Sequence, residues 1–431
     1  MTISPADKHL ICRDFDLKAL KILLDTDLFA TLLLSHFPDL DLNKIKRTYI
    51  RYKAGTSCIV SYELTIAQKT VLAYAKAVTS QDKLQKYSQR LGVVQDCGIG
   101  RTVFPQESII FSVLPNDSAL KQLPKLFDVE SRQKTLPTLL PDYDDLSSLT
   151  LKTLRYKPER RYVAQLLVQG QPQAIVKAYT GEEYPQAEIN ANAFKSIAPL
   201  HILPKLGDSK GDRLLTFPWI MGSTLKDLIT VNPDNTEKCT QTGIALAQLH
   251  RQHPQHLKPL SRQDEAKNLL LLAFDLIWLC PQWKHRIQNI AVELCTRILK
   301  ELPINCPIHG DFNGEQVLFS QGNDITFIDF DCAMRGDPAM DLGSFIAKLI
   351  QDELRGVLSA QESEKLAMTL VAGYHTTSHK PVLDQRIRLY TAVGLLRLAA
   401  EPFRYCEFNW CEKIDTILYR IEQIMNTFKP S

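Results

Sequence analysis

What this 431-residue chain lacks already narrows its options. None of its ten cysteines forms a Cys-x-x-Cys pair, and no Cys/His group has zinc spacing. Neither a zinc module nor a dithiol centre is therefore expected, and the thiols read as reduced and mostly buried. No charge prevails: 51 Lys and Arg stand against 48 Asp and Glu, for a net charge of +3. Such a balance provides no broad field to hold nucleic acid or an anionic membrane, so neither partner is expected. Long apolar runs are missing too. The most apolar, Leu269 to Cys280, contains Asp275 and is too short to span a bilayer. The opening MTISPADKHLICRDFD has no basic segment followed by an apolar one, so no signal peptide is read and the expected location is cytoplasmic. What is present, 45% hydrophobic residues over this length, suffices for two or three cores.

The chain repeats itself weakly. YIRYKAGTSCIVSYEL from Tyr49 matches TLRYKPERRYVAQLLV from Thr153, aligning Arg51-Tyr52-Lys53 with Arg155-Tyr156-Lys157 at an offset of 155 − 51 = 104. Further on, IIFSVLPNDSALKQL matches LLTFPWIMGSTLKDL, with Leu120 against Leu225 at an offset of 225 − 120 = 105. Lys76 and Lys177 each close a β-rich stretch between these anchors. The spacing reads as a duplicated unit of β-branched strands, a helix and a further strand. In the second unit the helix should begin near Tyr184-Pro185, because proline suits a first helical turn. Beyond Leu225 the pattern turns helical: Glu237–His250, Gln263–Leu279, Arg286–Glu301, Ser363–Tyr374 and Gln385–Ala400 carry apolar residues at three-to-four spacing.

One β-rich insert, Ile308 to Phe330, interrupts these helices, and the chemistry concentrates there. A strand ending at Ile308 delivers His309-Gly310-Asp311 into a loop. Gln316 follows, then the strand Val317–Phe319, a turn at Gln321-Gly322-Asn323, and a return strand that Asp329 ends. A hairpin of this length is expected to gather Asp311, Gln316 and Asp329 at one end of a sheet. Phosphoryl transfer needs such a set: one carboxylate to orient and deprotonate the attacking hydroxyl, and an amide oxygen with a second carboxylate to hold Mg²⁺ on phosphates.

HGDFNGEQVLF…FIDFDCAMRGDPAMDLGSF resembles the catalytic segment of the aminoglycoside phosphotransferase and choline kinase superfamily. The resemblance runs from about Leu151 to Arg404. It implies an α+β, bilobal protein-kinase-like fold with a small β-rich N-lobe and a helical C-lobe, and ATP with Mg²⁺ as cofactors. Asp311 falls on the catalytic base and Asp329 on the metal-binding aspartate, while Gly336-Asp337-Pro338 and Asp341 fall on a tail that braces the loop. The chain departs at Gln316, where most members have Asn. Maltokinase-like members also carry Gln there, so Gln316 is read as a metal ligand, its amide oxygen set one methylene further out.

The resemblance places Lys177, at the end of Ala174-Ile175-Val176, on the nucleotide phosphates. Glu188, or alternatively Glu183, is the acidic partner expected on the next helix. The first hairpin turn holds Lys157-Pro158-Glu159-Arg160-Arg161 instead of a glycine-rich loop, and is read as a basic turn over the phosphates. Leu214–Phe217 and Pro218–Gly222, with Phe217 and Trp219, resemble the adenine-binding hinge. His250 is assigned no chemistry. The aromatic stretch Glu401–Asp415 reads as a core-edge segment more than a substrate pocket. The first unit, with Lys76 but no glutamate in the following helix, reads as a degenerate copy of the N-lobe whose Lys76 is dispensable for catalysis. The expected domains are 1–45, an N-terminal helical segment; 46–150, the duplicated cap; 151–232, the ATP-binding lobe with its hinge; and 233–431, the catalytic lobe. The expected activity is phosphorylation of a hydroxyl on a small molecule of sugar, aminoglycoside or amino-alcohol type. The alternative is a catalytically inactive pseudokinase or nucleotide-binding interaction module, in which Gln316 has abolished metal-dependent turnover.

Overall fold

The computed structural model describes residues 3–88, 92–95, 97–143, 146–320, 324–378 and 382–428. Its contacts divide the chain into two compact units. One comprises Met1–Tyr184, Leu206–Thr216 and Glu401–Lys413; the other comprises Pro185–Lys205, Phe217–Ala400 and Ile414–Ser431.

The first unit is built on two antiparallel five-stranded sheets. Strands β1 (Leu42–Lys53), β2 (Ser57–Ile66), β3 (Lys69–Val78), β4 (Arg101–Phe104) and β5 (Ile109–Val113) form one, in the order β1-β2-β3-β5-β4. Strands β6 (Thr150–Lys157), β7 (Arg161–Val168) and β8 (Gln171–Tyr179) form the other, joined by Leu214–Pro218 and Gly207–Ser209. With those two segments in fourth and fifth place, the second sheet has the strand order of the first.

Each sheet buries a face under helices. Three short N-terminal helices, Pro5–Arg13, Leu20–Leu24 and Thr26–His36, precede the first sheet. Proline opens the first, and the Ser4 hydroxyl caps it by accepting from the Asp7 N–H. Phe29 of the third stacks on Tyr62 with ring centroids 4.4 Å apart and meets Phe111 edge-on. On the second sheet, leucines 120, 123, 126, 136, 139 and 140 pack against Tyr162, Leu166, Val176 and Leu214 in one core. Those leucines come from the helices Leu123–Phe127 and Val129–Leu139, the turn before them and, for Leu140, the residue that caps the second. The aromatic stretch after Glu401 belongs to this unit: Phe403 and Trp410 are buried, and the Trp410 indole N–H donates to Asp7 at 3.0 Å. Its preferred reading as a core-edge segment agrees with this placement.

The second unit is helical. Thr236–His250, Arg262–Leu279, Lys284–Lys300, Ala360–Thr377 and Asp384–Leu398 lie within a few residues of the spans expected from apolar periodicity. Along Lys284–Lys300 the inward residues are Ile287, Ile290, Ala291, Leu294, Cys295 and Ile298, one face of a helix. Ser359 and Glu362 close a reciprocal capping box at the start of Ala360–Thr377. That helix packs so closely on Thr236–His250 that a Cβ on Gly243 would lie 2.1 Å from the Leu370 carbonyl oxygen. No helix among the described residues is long and apolar enough to cross a membrane.

Two small sheets sit among these helices, where the sequence reading has one hairpin. Cys306–Ile308 pairs with Met334–Gly336, while Val317–Ser320 and Ile325–Phe327 form a sheet with Gly222–Thr224 and Leu200–Ile202. The strand leading to Asp311 is thus separate from the hairpin. Gln321, Gly322 and Asn323 lie outside the described residues. The thiols also differ from expectation: all ten are free, but only Cys58, Cys239, Cys280 and Cys295 are buried, and Cys12 and Cys332 are exposed.

Candidate active site

The loop after Ile308 is built by long-range hydrogen bonds, since its strand does not join the hairpin. The backbone N–H groups of His309 and Gly310 donate to the two carboxylate oxygens of Asp341, at 2.7 and 2.9 Å. The His250 ring nitrogen Nε2 bonds the same carboxylate at 2.9 Å, and its Nδ1 meets the Tyr374 hydroxyl at 2.9 Å. Asp341 is fully buried. Burial by itself pushes its carboxyl up, but the bond from His250 and the His309 N–H outweigh it and hold the pKa below the ordinary value. Gly310 has φ +82°, and a Cβ there would lie 2.2 Å from the Cys332 carbonyl oxygen, so only glycine fits.

The imidazole of His309 then ties the loop to the hairpin. Its Nε2 lies 2.8 Å from the Ile328 carbonyl oxygen. A carbonyl only accepts, so Nε2 carries the proton, leaving Nδ1 free to accept the Asp311 N–H at 3.4 Å. The ring also packs on Phe330 and Phe312, with centroids 4.8 and 5.7 Å away. Ile328 makes a second contact from its other backbone group, donating its N–H to the Gln316 carbonyl at 3.0 Å. Asp311, Gln316 and Asp329 are therefore all brought to one residue. Gln316 touches Ile328, Asp329 follows it, and Asp311 lies two residues beyond the histidine bound to it.

The three differ in setting. Asp311 is exposed, whereas Gln316 is buried at the end of the 3-10 turn Gly314–Gln316, for which Asn313 Oδ1 accepts the Glu315 N–H. Asp329 does not end the second strand as expected; that strand stops at Phe327, and Asp329 adopts a left-handed conformation, φ 65° and ψ 53°. Such a conformation in a non-glycine residue takes a surrounding structure to maintain it. Here Asn190 donates to the carbonyls of Asp331 and Ala333, at 3.2 and 3.0 Å, just beyond it. An amide oxygen and a carboxylate on neighbouring ends of two strands are hard donors that suit Mg²⁺ and leave places open for phosphate and water. Among the described residues, no group of three or more His, Cys, Asp or Glu side chains could hold a metal.

The bracing tail divides its work. Asp341 holds the loop, but Asp337 does not touch it. Its buried carboxylate accepts from Arg262 Nη2 and Arg386 Nε, both at 2.6 Å, and so joins the helices Arg262–Leu279 and Asp384–Leu398. His250 is the residue that sequence reasoning passed over. Its side chain bears on the site through Asp341, and a lone histidine ending an apolar helix carries no local sign of that contact.

The remaining site candidates sit on identifiable elements. Lys177 lies on β8 opposite Val163, two residues before the strand ends, and is half-buried. Glu188 lies within the helix Tyr184–Asn190. Glu183 precedes that helix and exchanges hydrogen bonds with the Thr180 hydroxyl. Phe217 is in the strand Leu214–Pro218; Trp219 follows it, with its indole N–H 3.2 Å from the Met221 sulfur. Arg160 is exposed in the β6–β7 turn, its backbone N–H donating to the Lys157 carbonyl.

Residues 159–384, more than half the chain, match the family model described as APH, phosphotransferase enzyme family. Among solved structures, choline kinase LicA from Streptococcus pneumoniae is similar at 14% identity and a TM-score of 0.49, over 69% of this chain and 99% of that one. A thermostable mutant of aminoglycoside phosphotransferase APH(4)-Ia, in ternary complex with ADP and hygromycin B, is similar at 15% identity and a TM-score of 0.49, over 70% and 100%. A choline/ethanolamine kinase family protein from Mesorhizobium loti is similar at 14% identity and a TM-score of 0.46, over 70% and 96%. No curated protein matches the chain by sequence.

Proposed function

The chain belongs to the APH phosphotransferase enzyme family, and from that premise we propose that it transfers the γ-phosphoryl group of ATP, with Mg²⁺, to a hydroxyl of a sugar, aminoglycoside or amino-alcohol. The observation that carries this reading is the convergence of Asp311, Gln316 and Asp329 on Ile328.

In this reading Asp311 orients the acceptor hydroxyl and takes its proton as the new O–P bond forms and the bond from the γ-phosphorus to the departing ADP breaks. Asp311 is exposed, on a loop held by His309 and Asp341, where an incoming substrate can reach it. Gln316 and Asp329 would hold Mg²⁺, which would supply positive charge to offset that of the phosphates. Lys177 and Arg160 offset phosphate charge, and Phe217 and Trp219 line the adenine. Residues 46–150 serve as a degenerate copy of the nucleotide lobe, a reading supported by the shared strand order of the two sheets.

A coupled assay for ADP release over a panel of sugars, aminoglycosides and amino-alcohols tests the proposal. Acceptor-dependent ADP release that is lost on chelating Mg²⁺ is the expected outcome. ATP binding without turnover on any acceptor would favour the pseudokinase, in which the longer Gln316 side chain fails to place the metal.

A further inference from the structure

The rung of the second sheet that carries Lys177 has a counterpart in the first. Arg155, Val163 and Lys177 lie opposite one another on β6, β7 and β8. Arg51, Ile59 and Lys76 are opposed in the same way on β1, β2 and β3. Directly opposed residues share a face of a sheet, so each sheet presents an arginine and a lysine flanking one apolar residue.

In the first sheet this cation pair is occupied. Lys76 Nζ donates to both carboxylate oxygens of Glu159, at 2.6 and 2.8 Å, and Arg51 Nη2 reaches one of them at 3.2 Å. Glu159 belongs to the β6–β7 turn, which also carries Arg160. Its side chain is 10% exposed and that of Lys76 17%, so this is no solvated surface pair. The backbone is fastened as well. Glu159 has φ +57°, and its N–H donates to Asp117 Oδ2 at 2.8 Å, the oxygen that also accepts the Tyr156 hydroxyl at 2.8 Å. Asp117 is held in turn: its Oδ1 accepts from Ala119 and Leu120, and the neighbouring Ser118 bonds the Tyr74 hydroxyl of β3.

We propose that Lys76 and Arg51 form, with Glu159, a latch by which the first sheet positions the β6–β7 turn for binding nucleotide phosphates. This rests on the reading of Lys177 and Arg160 as phosphate-holding groups. Lys76 and Arg51 act only through Glu159 and are positioning residues. The latch does two things. It holds a turn that has no glycine in one placement before nucleotide arrives, which removes an ordering cost from binding. It also draws the Glu159 carboxylate onto two cations of another sheet, so that this charge neither repels phosphate nor cancels Arg160. The sequence reading leaves Lys76 dispensable; the latch makes it matter for nucleotide affinity.

Calorimetric titration of the full chain with Mg-ATP, together with amide hydrogen exchange of residues 157–161, tests the latch. If the loosened turn holds the binding-competent placement about a tenth of the time, Lys76→Ala and Glu159→Ala each weaken Mg-ATP binding roughly tenfold. Exchange at Arg160 and Arg161 rises in both. The exchanged pair, Lys76→Glu with Glu159→Lys, recovers affinity to within about threefold of wild type and restores protection, which a general loss of packing would not do. Arg51→Ala, which removes only the 3.2 Å contact, keeps the test open should Lys76→Ala fold poorly; it is expected to weaken binding by about threefold. Wild-type protein with no affinity for Mg-ATP would overturn the functional reading and the latch with it. Wild-type binding that Lys76→Ala leaves unchanged, with exchange in the turn also unchanged, overturns the latch alone.

Discussion

Replacing Asp341 by Asn keeps the side chain's shape and removes its charge, at a position that touches no expected substrate group. In the folded protein one oxygen of Asp341 accepts from the His309 N–H and from His250, and the other from the Gly310 N–H. The best Asn rotamer leaves its carbonyl oxygen on the first two donors and turns its NH₂ toward the Gly310 N–H. Two bonds then weaken from charged to neutral, by about 1 kcal/mol each, and the third is lost with a buried donor orphaned, at about 1–3 kcal/mol. Relief of the carboxylate's burial returns part of this. The net destabilisation is about 2–4 kcal/mol, to be read as a lower urea midpoint at unchanged m-value. Displacement of the Gly310–Asp311 loop should also lower turnover by about a hundredfold, the usual cost of misplacing a reacting group by an ångström. The advantage of wild type over the variant depends on pH in a set direction. The folded pKa of Asp341 is depressed, so its contribution is present above the unfolded value of about 3.9 and is lost as pH falls through the folded one. A variant within about 0.5 kcal/mol of wild type at pH 7, a difference ordinary for surface changes, with normal turnover, would refute the account of how the loop is held.

Three further outcomes are expected. Asp311→Asn should lower kcat by roughly 10²–10⁴-fold with Mg-ATP affinity nearly unchanged, and more than about a tenth of the wild-type kcat would remove Asp311 as the base. Asp329→Ala should abolish Mg²⁺-dependent nucleotide binding while Gln316→Asn, which keeps the amide oxygen, is tolerated; equal Mg-ATP affinity in Asp329→Ala and wild type, by calorimetry, would refute the metal assignment. Lys177→Ala should cost roughly 2–4 kcal/mol of transition-state stabilisation in kcat/KM, and a change below about threefold would move the phosphate contact to another residue.

Legibility followed sequence distance. The helices of the second unit were readable because burial of one face imposes its own period, as in Ile287, Ile290, Leu294 and Ile298. That Asp311, Gln316 and Asp329 lie close together along the fold could be anticipated because their elements are consecutive and the short span leaves few ways to arrange them. Errors arose where a partner came from elsewhere. The strand ending at Ile308 was expected without a partner, and it pairs with Met334–Gly336, a choice made by tertiary packing. Asp329 looked like the last residue of a strand; its left-handed backbone depends on surroundings that local propensity does not describe.

By itself, then, the sequence determined the residue types of the proposed phosphoryl-transfer site, their spacing, the helical periodicity and the existence of two similar β-rich stretches. Those properties depend on neighbours a few residues apart, where the backbone leaves little freedom. The tertiary structure alone decided that His250 orients Asp341 across 91 residues and that Glu159 is held by Lys76 across 83. Closing a contact over such a distance costs chain entropy that no local pattern records. Only the folded core repays it, by placing buried polar groups where each must find a partner.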